Sequence, residues 1–498
     1  MKYIIFFIVN LCLALSCAIA QQSLGTLTVY GSWENYQALD VEEVGDHLPA
    51  IEVYEKHIMP DAINYRKIYN LEIRRDSFYL SVPLTKEYQY VRFASIGKNR
   101  EERLPFITPF LVQSGDSVHI GIHQNSPLTF ESSNPLTDLQ FRLAALGNSP
   151  LIRALPHLVD ENLHAGLDEF VVRMRAAEEL SAQYTDESNH HMVLVCLENF
   201  RYELLAALCR RLYADTYFGE DSLLHDDLLD KLIQAFQPFH QLPNEQLVEE
   251  TVSYLSFQYY LHLTLGTIRA ILDGATREDY LQISWAIYRS ILQIPDGYVR
   301  DRTVDLFFKY SNDYRRSGQS GIPLLTEALS ATRDLAVKRG LEQRLANQNG
   351  GHAIPDFSFS GQHGELVSLH DFQGKVIVAH FWFLGCQPCI RLTKAFEPLM
   401  KRYGNQEEIV FLNINVDRDY KKWKSGIQSG NYHHPQEILL HTGATGMSHP
   451  MLKYFEFFSV PELVVLDKEG RVVSKRPEGE GSDAEIAFVD RILADLIR

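Results

Sequence analysis

Two cysteines, Cys386 and Cys389, lie three residues apart behind the apolar run VIVAHFWF at 376–383. The run predicts a buried strand and residues 390–403 predict a helix, so the pair falls at a strand-to-helix junction. Unpaired N–H groups and the helix dipole stabilise a thiolate at such a position. We therefore interpret Cys386 as a nucleophile and Cys389, on the same helical face, as its resolving thiol.

Two other chemistries remain open for a C-x-x-C pair. Half of a zinc site is disfavoured because no second cysteine pair or spaced histidine pair follows, and His433 and His434 are adjacent. A purely structural disulfide is disfavoured because so short a loop restrains the unfolded chain little. No phosphate-binding loop is present either, so we expect no metal and no other cofactor.

Length and composition limit the function classes. A chain of 498 residues predicts two or three domains. Hydrophobic residues make up 45% and charged residues 22%, as in ordinary globular proteins. The net charge of -17 offers no basic excess for phosphates, so nucleic acid is not an expected partner.

The first twenty residues combine a cation at Lys2, an apolar run and a small-residue site that ends at Ala20. They predict a secretory signal peptide at 1–20, cleaved after Ala20. Cys17 offers an alternative, lipoprotein-type cleavage site. We expect an exported protein of the periplasm or cell envelope.

Cys196 and Cys209 are thirteen positions apart in a stretch that reads as one helix. A helix would hold them about 20 Å apart, too far for a disulfide. We expect two buried free thiols.

The pattern of the sequence changes twice along the chain. Residues 21–134 alternate apolar and polar residues and predict a β-rich domain. Residues 135–346 space apolar residues by three and four and predict a helical domain. A polar, glycine-containing linker at 347–353 precedes strands and helices in 354–498, which predict an α/β domain. The expected fold class is multidomain.

The segment 355–389, PDFSFSGQHGELVSLHDFQGKVIVAHFWFLGCQPC, resembles the opening of TlpA-like thioredoxin-fold proteins. The shared positions are Pro355, Phe357, Gly364, Leu369, Gly374, Lys375, Phe381, Trp382 and both cysteines. The resemblance continues through FLNINVD and SVPELVVLDKEGRVV, and implies a thioredoxin fold for 354–498. The upstream FLVQSGDSVHI resembles, more weakly, the amino-terminal β domain of large exported TlpA-like proteins.

The resemblance implies that Val460–Pro461 is the cis-proline segment opposite the cysteines, with the Val460 backbone free to pair with an extended substrate. Trp382 is similar to the family's packing tryptophan, and we expect it in the core.

Three departures from the family pattern flank the cysteines. Gly385 replaces a tryptophan, so we expect Cys386 to be more exposed. Leu392 and Lys394 replace a glutamate and a helix-kinking proline, so we expect the kink to move to Pro398.

His380 stands six residues before the first cysteine, where thioredoxin has a buried aspartate. We hypothesise that His380 is the general base for Cys389, because imidazole titrates near neutral pH. The alternative is a strand histidine satisfied by a carbonyl group or water.

The expected function is an exported thiol–disulfide oxidoreductase that reduces or isomerises disulfides of cell-envelope proteins. The neutral spacer Gln387-Pro388 lacks the histidine of oxidising relatives, and a membrane or periplasmic dithiol donor would supply electrons. Two alternatives stay open: an envelope binding or assembly protein with an accessory redox domain, and a peroxiredoxin-like peroxidase. The peroxidase would need a threonine where this chain has Phe383.

If His380 is the base for Cys389, His380→Ala should slow the second exchange step by roughly a hundredfold near neutral pH, a typical loss for general-base catalysis. The rate of that step would be measured against pH, beside the wild-type protein. An unchanged pH profile would exclude the role.

Overall fold

A computed structural model describes residues 25–33, 50–54, 66–70, 73–74, 77–94, 109–122, 129–147, 161–218, 224, 226–239, 247, 250–457, 459–475 and 483–497. The predicted signal peptide, with Ala20 and Cys17, lies outside the described residues.

Nine strands are described in the amino-terminal part of the chain. They are β1 (Gly25–Trp33), β2 (Ala50–Tyr54), β3 (Arg66–Asn70), β4 (Ile73–Arg74), β5 (Ser77–Leu84), β6 (Tyr88–Ala94), β7 (Phe110–Gln113), β8 (Ser117–Ile122) and β9 (Thr129–Ser132). One sheet has the order β4-β5-β1-β8-β9 and the other the order β3-β2-β6-β7. Alternation along β1 turns Leu27 and Val29 inward, and the buried residues of both sheets form one hydrophobic cluster.

Helices follow from Pro135 onward. They are α1 (Pro135–Gly147), α2 (Glu161–Ala182), α3 (His190–Phe218), α4 (Asp226–Phe236), α5 (Val252–Leu272), α6 (Tyr280–Ile291), α7 (Tyr298–Tyr310), α8 (Asn312–Arg316), α9 (Ile322–Ala331) and α10 (Leu335–Asn349), with short 3₁₀ turns at Gln237–Phe239 and Gly318–Gly321. Cys196 and Cys209 both lie in α3, buried and unbonded, as predicted. Burial raises the pKa of the Cys196 thiol to about 12, which makes it inert.

The carboxy-terminal part forms one mixed sheet with its helices. Its strands are β10 (Ser358–Gly361), β11 (Leu366–Ser368), β12 (Val376–Trp382), β13 (Ile409–Asn415), β14 (Ile438–His441), β15 (Glu462–Leu466) and β16 (Val472–Lys475). Its helices are α11 (Gln387–Ala395), α12 (Glu397–Tyr403), α13 (Tyr420–Ser429), α14 (Pro450–Tyr454) and α15 (Asp483–Leu496), with 3₁₀ turns at Leu369–Phe372 and Gly443–Ser448.

The strand order of this sheet is β11-β10-β14-β13-β12-β15-β16. Strands β12, β13 and β14 run parallel, and β15 pairs antiparallel with β12. The sequence predicts β12, β13 and the β15–β16 hairpin, and all are confirmed. It does not predict β10, β11 and β14, which are only three or four residues long and owe their extended form to sheet pairing.

Both faces of the sheet are covered. Ile377, Ala379 and Phe381 of β12 face a cluster that includes Met451 and Leu452 of α14. Val376 and Val378 face the opposite way, against apolar residues of α11, α12 and α15. This two-sided burial explains the near-continuous apolar run that marks β12 in the sequence.

The helix predicted at 390–403, with its kink expected at Pro398, consists of two helices, α11 and α12. Phe396 ends the first helix, and Pro398 lies in the first turn of the second. Proline cannot donate an intrahelical hydrogen bond but fits a first turn. The kink is therefore at the position predicted from the missing family proline.

Helix α10 extends to Asn349, into the predicted linker. Gly350 ends it with φ 69°, a conformation that favours glycine. The Gly351 N–H then donates to the Val472 carbonyl at 2.7 Å, and the Val472 N–H donates to the His352 carbonyl at 3.0 Å. This part of the predicted linker is thus paired with β16.

Contacts divide the chain into two compact units. The first is Met1–Ala154, Leu167–Leu204 and Glu249–Ser253, and the second is Leu155–Gly166, Leu205–Val248 and Tyr254–Arg498. These units do not follow the three predicted domain boundaries, and that division stays a prediction.

In the described part of the chain, no helix combines the length and apolarity that crossing a bilayer requires.

Gly426 lets α13 approach Trp382 closely, since a Cβ at this position would overlap the Trp382 ring. We expect Gly426→Ala to lower the free energy of unfolding by about 1–3 kcal/mol through overpacking. The matched control is Gly340→Ala in α10, where the nearest atom to the new Cβ is 3.7 Å away. There we expect a gain of up to about 1 kcal/mol from helix propensity. Denaturant unfolding measures both, and equal effects would contradict the packing account.

Candidate functional site

Cys386 and Cys389 form a disulfide at the junction between β12 and α11, with their Cα atoms 5.3 Å apart. Cys386 is the N-cap of α11, and its sulfur accepts the Cys389 N–H at 3.1 Å. Pro388 occupies the first turn, where a missing N–H has no cost. The same N–H group and the helix dipole would stabilise a Cys386 thiolate after reduction, so its lowered pKa remains our prediction.

The backbone conformation at position 385 favours glycine. Its φ is 96°, in the left-handed region, and its N–H donates to the Tyr432 hydroxyl at 2.8 Å. Residues that carry a side chain rarely adopt this backbone conformation, so the tryptophan of the family pattern would be strained at this position.

The expectation that Cys386 would be more exposed is wrong, because only 3% of the residue is accessible. Trp382 stacks on Tyr432 with ring centroids 4.4 Å apart, and both pack around the disulfide. Trp382 itself is fully buried, which confirms its predicted place in the core. The sulfurs are therefore sheltered by rings that come from the chain before and after the motif.

The Val460–Pro461 peptide bond is cis, the geometry that the resemblance implies. The Cys386 sulfur lies 3.9 Å from the Val460 carbonyl oxygen. The structure thus brings the cysteine pair and the proline segment together across 74 residues of sequence. The pairing of Val460 with a substrate stays a prediction.

His380 lies on β12 and is buried, and its partner is a carboxylate rather than the expected carbonyl group or water. Its Nε2 atom lies 2.8 Å from Oε1 of Glu437. The side chains of His380 and Glu437 are 2% and 0% exposed. The same Nε2 atom lies 3.0 Å from Nδ2 of Asn413. The role of His380 as base for Cys389 stays a prediction.

Glu437 is a site residue that the sequence analysis missed. Burial alone would raise the pKa of this carboxyl, but His380 and the His434 N–H outweigh it and hold the pKa below its ordinary value of 4.5. Asn413 adds an amide contact to Glu437 at 3.1 Å. No local motif marks Glu437, since it becomes part of the site only when β14 pairs with β13.

Hydrogen bonds connect this buried cluster to the backbone beside both cysteines. Asn413 accepts the Trp382 indole N–H and donates to the Tyr432 backbone carbonyl, and the hydroxyl at the end of the Tyr432 side chain accepts the Gly385 N–H. On the other side, the His434 ring bonds to the Thr393 carbonyl at 2.7 Å, and Thr393 donates to the Cys389 carbonyl at 3.0 Å. These hydrogen bonds end on the backbone of Gly385 and Cys389, so the cluster positions the segments that carry the sulfurs.

Residues 350–475 match the model of the AhpC/TSA family. Together with the strand order and the helix that begins at the cysteine pair, this match decides the fold. The carboxy-terminal domain has a TlpA-like thioredoxin fold.

Similar proteins share this region. The thiol-disulfide oxidoreductase ResA of Bacillus thuringiensis is 21% identical over 125 residues, which are 25% of this chain and 68% of ResA. The thioredoxin domain of a Bacteroides vulgatus thiol-disulfide oxidoreductase is 22% identical over 29% of this chain and 96% of that one, with a TM-score of 0.26. A Bacteroides caccae thioredoxin-like protein is 18% identical over 59% of this chain and 93% of that one, with a TM-score of 0.32.

Leu392, at the position where the family pattern has a glutamate, is buried in the cluster between α11 and the sheet. Among the residues that the structure describes, no three histidine, cysteine, aspartate or glutamate side chains form a group suited to a metal ion.

Because its folded pKa is lowered, Glu437 stabilises the fold above pH 4.5, and this contribution disappears as the pH falls through the folded pKa. We expect Glu437→Gln to reduce the free energy of unfolding at neutral pH by about 1–3 kcal/mol, the cost of weakening a buried charged hydrogen bond. The difference from wild type should narrow below pH 4.5.

Chemical denaturation between neutral pH and about pH 3 measures this difference across the carboxyl titration range. Glu407→Gln, at an exposed carboxyl of the same domain, is the control and should show no comparable loss. A difference that stays constant throughout acidification would contradict an ionised Glu437.

Proposed function

We propose that this protein is an exported thiol–disulfide oxidoreductase that reduces or isomerises disulfides in cell-envelope proteins. The observation that carries the proposal is the Cys386–Cys389 pair at the start of α11, with the Cys386 sulfur facing the Val460 carbonyl. The name thiol-disulfide oxidoreductase, carried by the similar ResA, supports the class of reaction.

The reaction proceeds by two thiol–disulfide exchanges. The Cys386 thiolate attacks one sulfur of a client disulfide, which forms a mixed disulfide and releases a client thiolate. The Cys389 thiolate then attacks the Cys386 sulfur, which re-forms the Cys386–Cys389 bond and releases the second client thiolate. Two electrons pass from the dithiol to the client. In isomerisation, a client thiol makes the second attack and no net electrons are lost.

A client polypeptide would bind across the cysteine pair. We propose that its extended backbone pairs with Val460, and that its neighbouring side chains contact Phe383, which precedes the motif and is 41% exposed. An exposed aromatic ring beside a sheltered disulfide suits an apolar polypeptide surface better than a small polar substrate.

The place of action follows from the predicted signal peptide at 1–20, which would export the protein to the periplasm or cell envelope. Disulfides form and persist in such a compartment. Each reductive cycle leaves the pair oxidised, so a membrane or periplasmic dithiol protein must return two electrons to it. We propose such a donor as the second partner.

Removing the resolving thiol should trap clients. With Cys389→Ser, the mixed disulfide on Cys386 cannot be resolved, so we expect covalent adducts in the native cell envelope, separable by non-reducing electrophoresis. Cys386→Ser should lower the rate of insulin disulfide reduction by about a thousandfold or more, as expected for loss of a covalent nucleophile.

The control is Cys196→Ala, which removes a buried free thiol outside the pair and should leave both results unchanged. The absence of adducts with Cys389→Ser, or full activity of Cys386→Ser, would exclude the proposal. Rapid peroxide consumption by the Cys389→Ser protein would favour the peroxidase alternative instead.

A further inference from the structure

The turn after α14 contains an unusual residue. The Phe457 N–H donates to the Leu452 carbonyl at 2.8 Å and the Glu456 N–H to the Lys453 carbonyl at 3.1 Å, the bonding pattern that closes a helix carboxyl end. The residue between these bonds adopts the left-handed conformation, and glycine is strongly preferred there. This chain has Glu456 instead, with φ 54°.

Glu456 is the one residue other than glycine with positive φ in the described part of the chain. A side chain in this conformation is locally unfavourable, so a compensating interaction is expected. Arg344 of α10 supplies it through two parallel contacts, Nε to Oε2 at 2.5 Å and Nη2 to Oε1 at 2.9 Å. Such a paired contact fixes orientation as well as distance.

Arg344 is itself held firmly. Its side chain is 7% exposed, and its Nη1 atom lies 2.8 Å from Oδ1 of Asp305 in α7. Burial alone would lower the pKa of Arg344, but Glu456 and Asp305 raise it above its ordinary value, so the guanidinium stays charged. A second contact runs nearby, from the Asn347 amide to the Tyr454 carbonyl at 3.4 Å. Helix α10 therefore holds the end of α14 through two side chains, Arg344 and Asn347.

The turn leads directly to the substrate-facing segment. Glu456 lies four residues before Val460, whose carbonyl faces the Cys386 sulfur. The left-handed conformation of Glu456 accompanies stacking of its two neighbours: the rings of Phe455 and Phe457 lie in the core with their centroids 5.5 Å apart. The conformation of Glu456 therefore determines the direction in which the chain leaves α14 for Val460.

We propose that Arg344 is a positioning residue for client binding, which holds Glu456 and thereby places the Val460 backbone where an extended client polypeptide pairs with it. This inference rests on the proposed function. It gives the helices α7 and α10 a part in client binding, although neither contributes a cysteine. The ligand class is a polypeptide with a free extended backbone; a small disulfide lacks the backbone that Val460 would bind.

The test compares a polypeptide with a small disulfide. In Glu456→Gln and in Arg344→Met, we expect the KM for insulin to rise roughly 2- to 30-fold, the usual range for coupling through a packed network. The rate constant for reduction of cystamine, which has no peptide backbone, should stay within about twofold, because the cysteine pair is intact. Glu397→Gln removes an exposed ion pair with Lys401 in the same domain and should change neither value.

A double variant separates positioning from stability. Arg344→Met with Glu456→Gly removes both charges and places glycine where φ is positive, so the turn itself is no longer strained. We expect its insulin KM to remain raised, and hydrogen exchange of residues 457–466 to be faster than in wild type. Exchange in β12 should be unchanged.

Three results would overturn the inference. They are a wild-type insulin KM in the folded single variants, a wild-type KM in the double variant, and equal losses with insulin and cystamine, which would indicate a structural role only. Wild-type protein that reduces neither substrate would overturn the proposed function and this inference together, whereas the other results leave the proposed function standing.

Discussion

Strand β12 positions the cysteine pair, because all seven of its residues are buried and both of its edges are paired. A shift by one residue would turn Val378 and Phe381 to the wrong faces and break the ladders to β13 and β15. The end of β12 is therefore fixed, and α11 starts over that end with Cys386 as its cap. Strand β15 begins directly after Pro461, so the antiparallel ladder brings Val460 to the same end of the sheet.

Beneath this junction, the side chains of His380 and Glu437 are buried together in the core. Burying the Glu437 carboxylate costs desolvation free energy, and a hydrogen-bond partner at each of its two oxygens offsets that cost. The cluster also determines which groups surround the dithiol: the stacked rings of Trp382 and Tyr432 are held by Asn413.

The segment that joins α10 to the thioredoxin domain is held by backbone hydrogen bonds rather than being a free linker. Helix α10 continues beyond its predicted end, and the residues that follow it pair with β16. The polar, glycine-containing composition of 347–353 is typical of a flexible linker. Here the glycines instead supply positive φ at Gly350 and Gly351, and the polar side chain of Asn347 binds the end of α14. Composition alone does not distinguish these two uses of glycine and asparagine.

The sequence by itself determined the elements with strong local signals: the buried strands β12 and β13, the helix break near Pro398, and the place of Cys386 and Cys389 at a strand-to-helix junction. These features follow from apolar periodicity and from the covalent geometry of proline, which act within a few residues. Only the tertiary structure decided the short strands β10, β11 and β14, the burial of Cys386, and the membership of Glu437 in the site. Each of these depends on contacts between segments far apart in sequence, and no local pattern encodes such a contact.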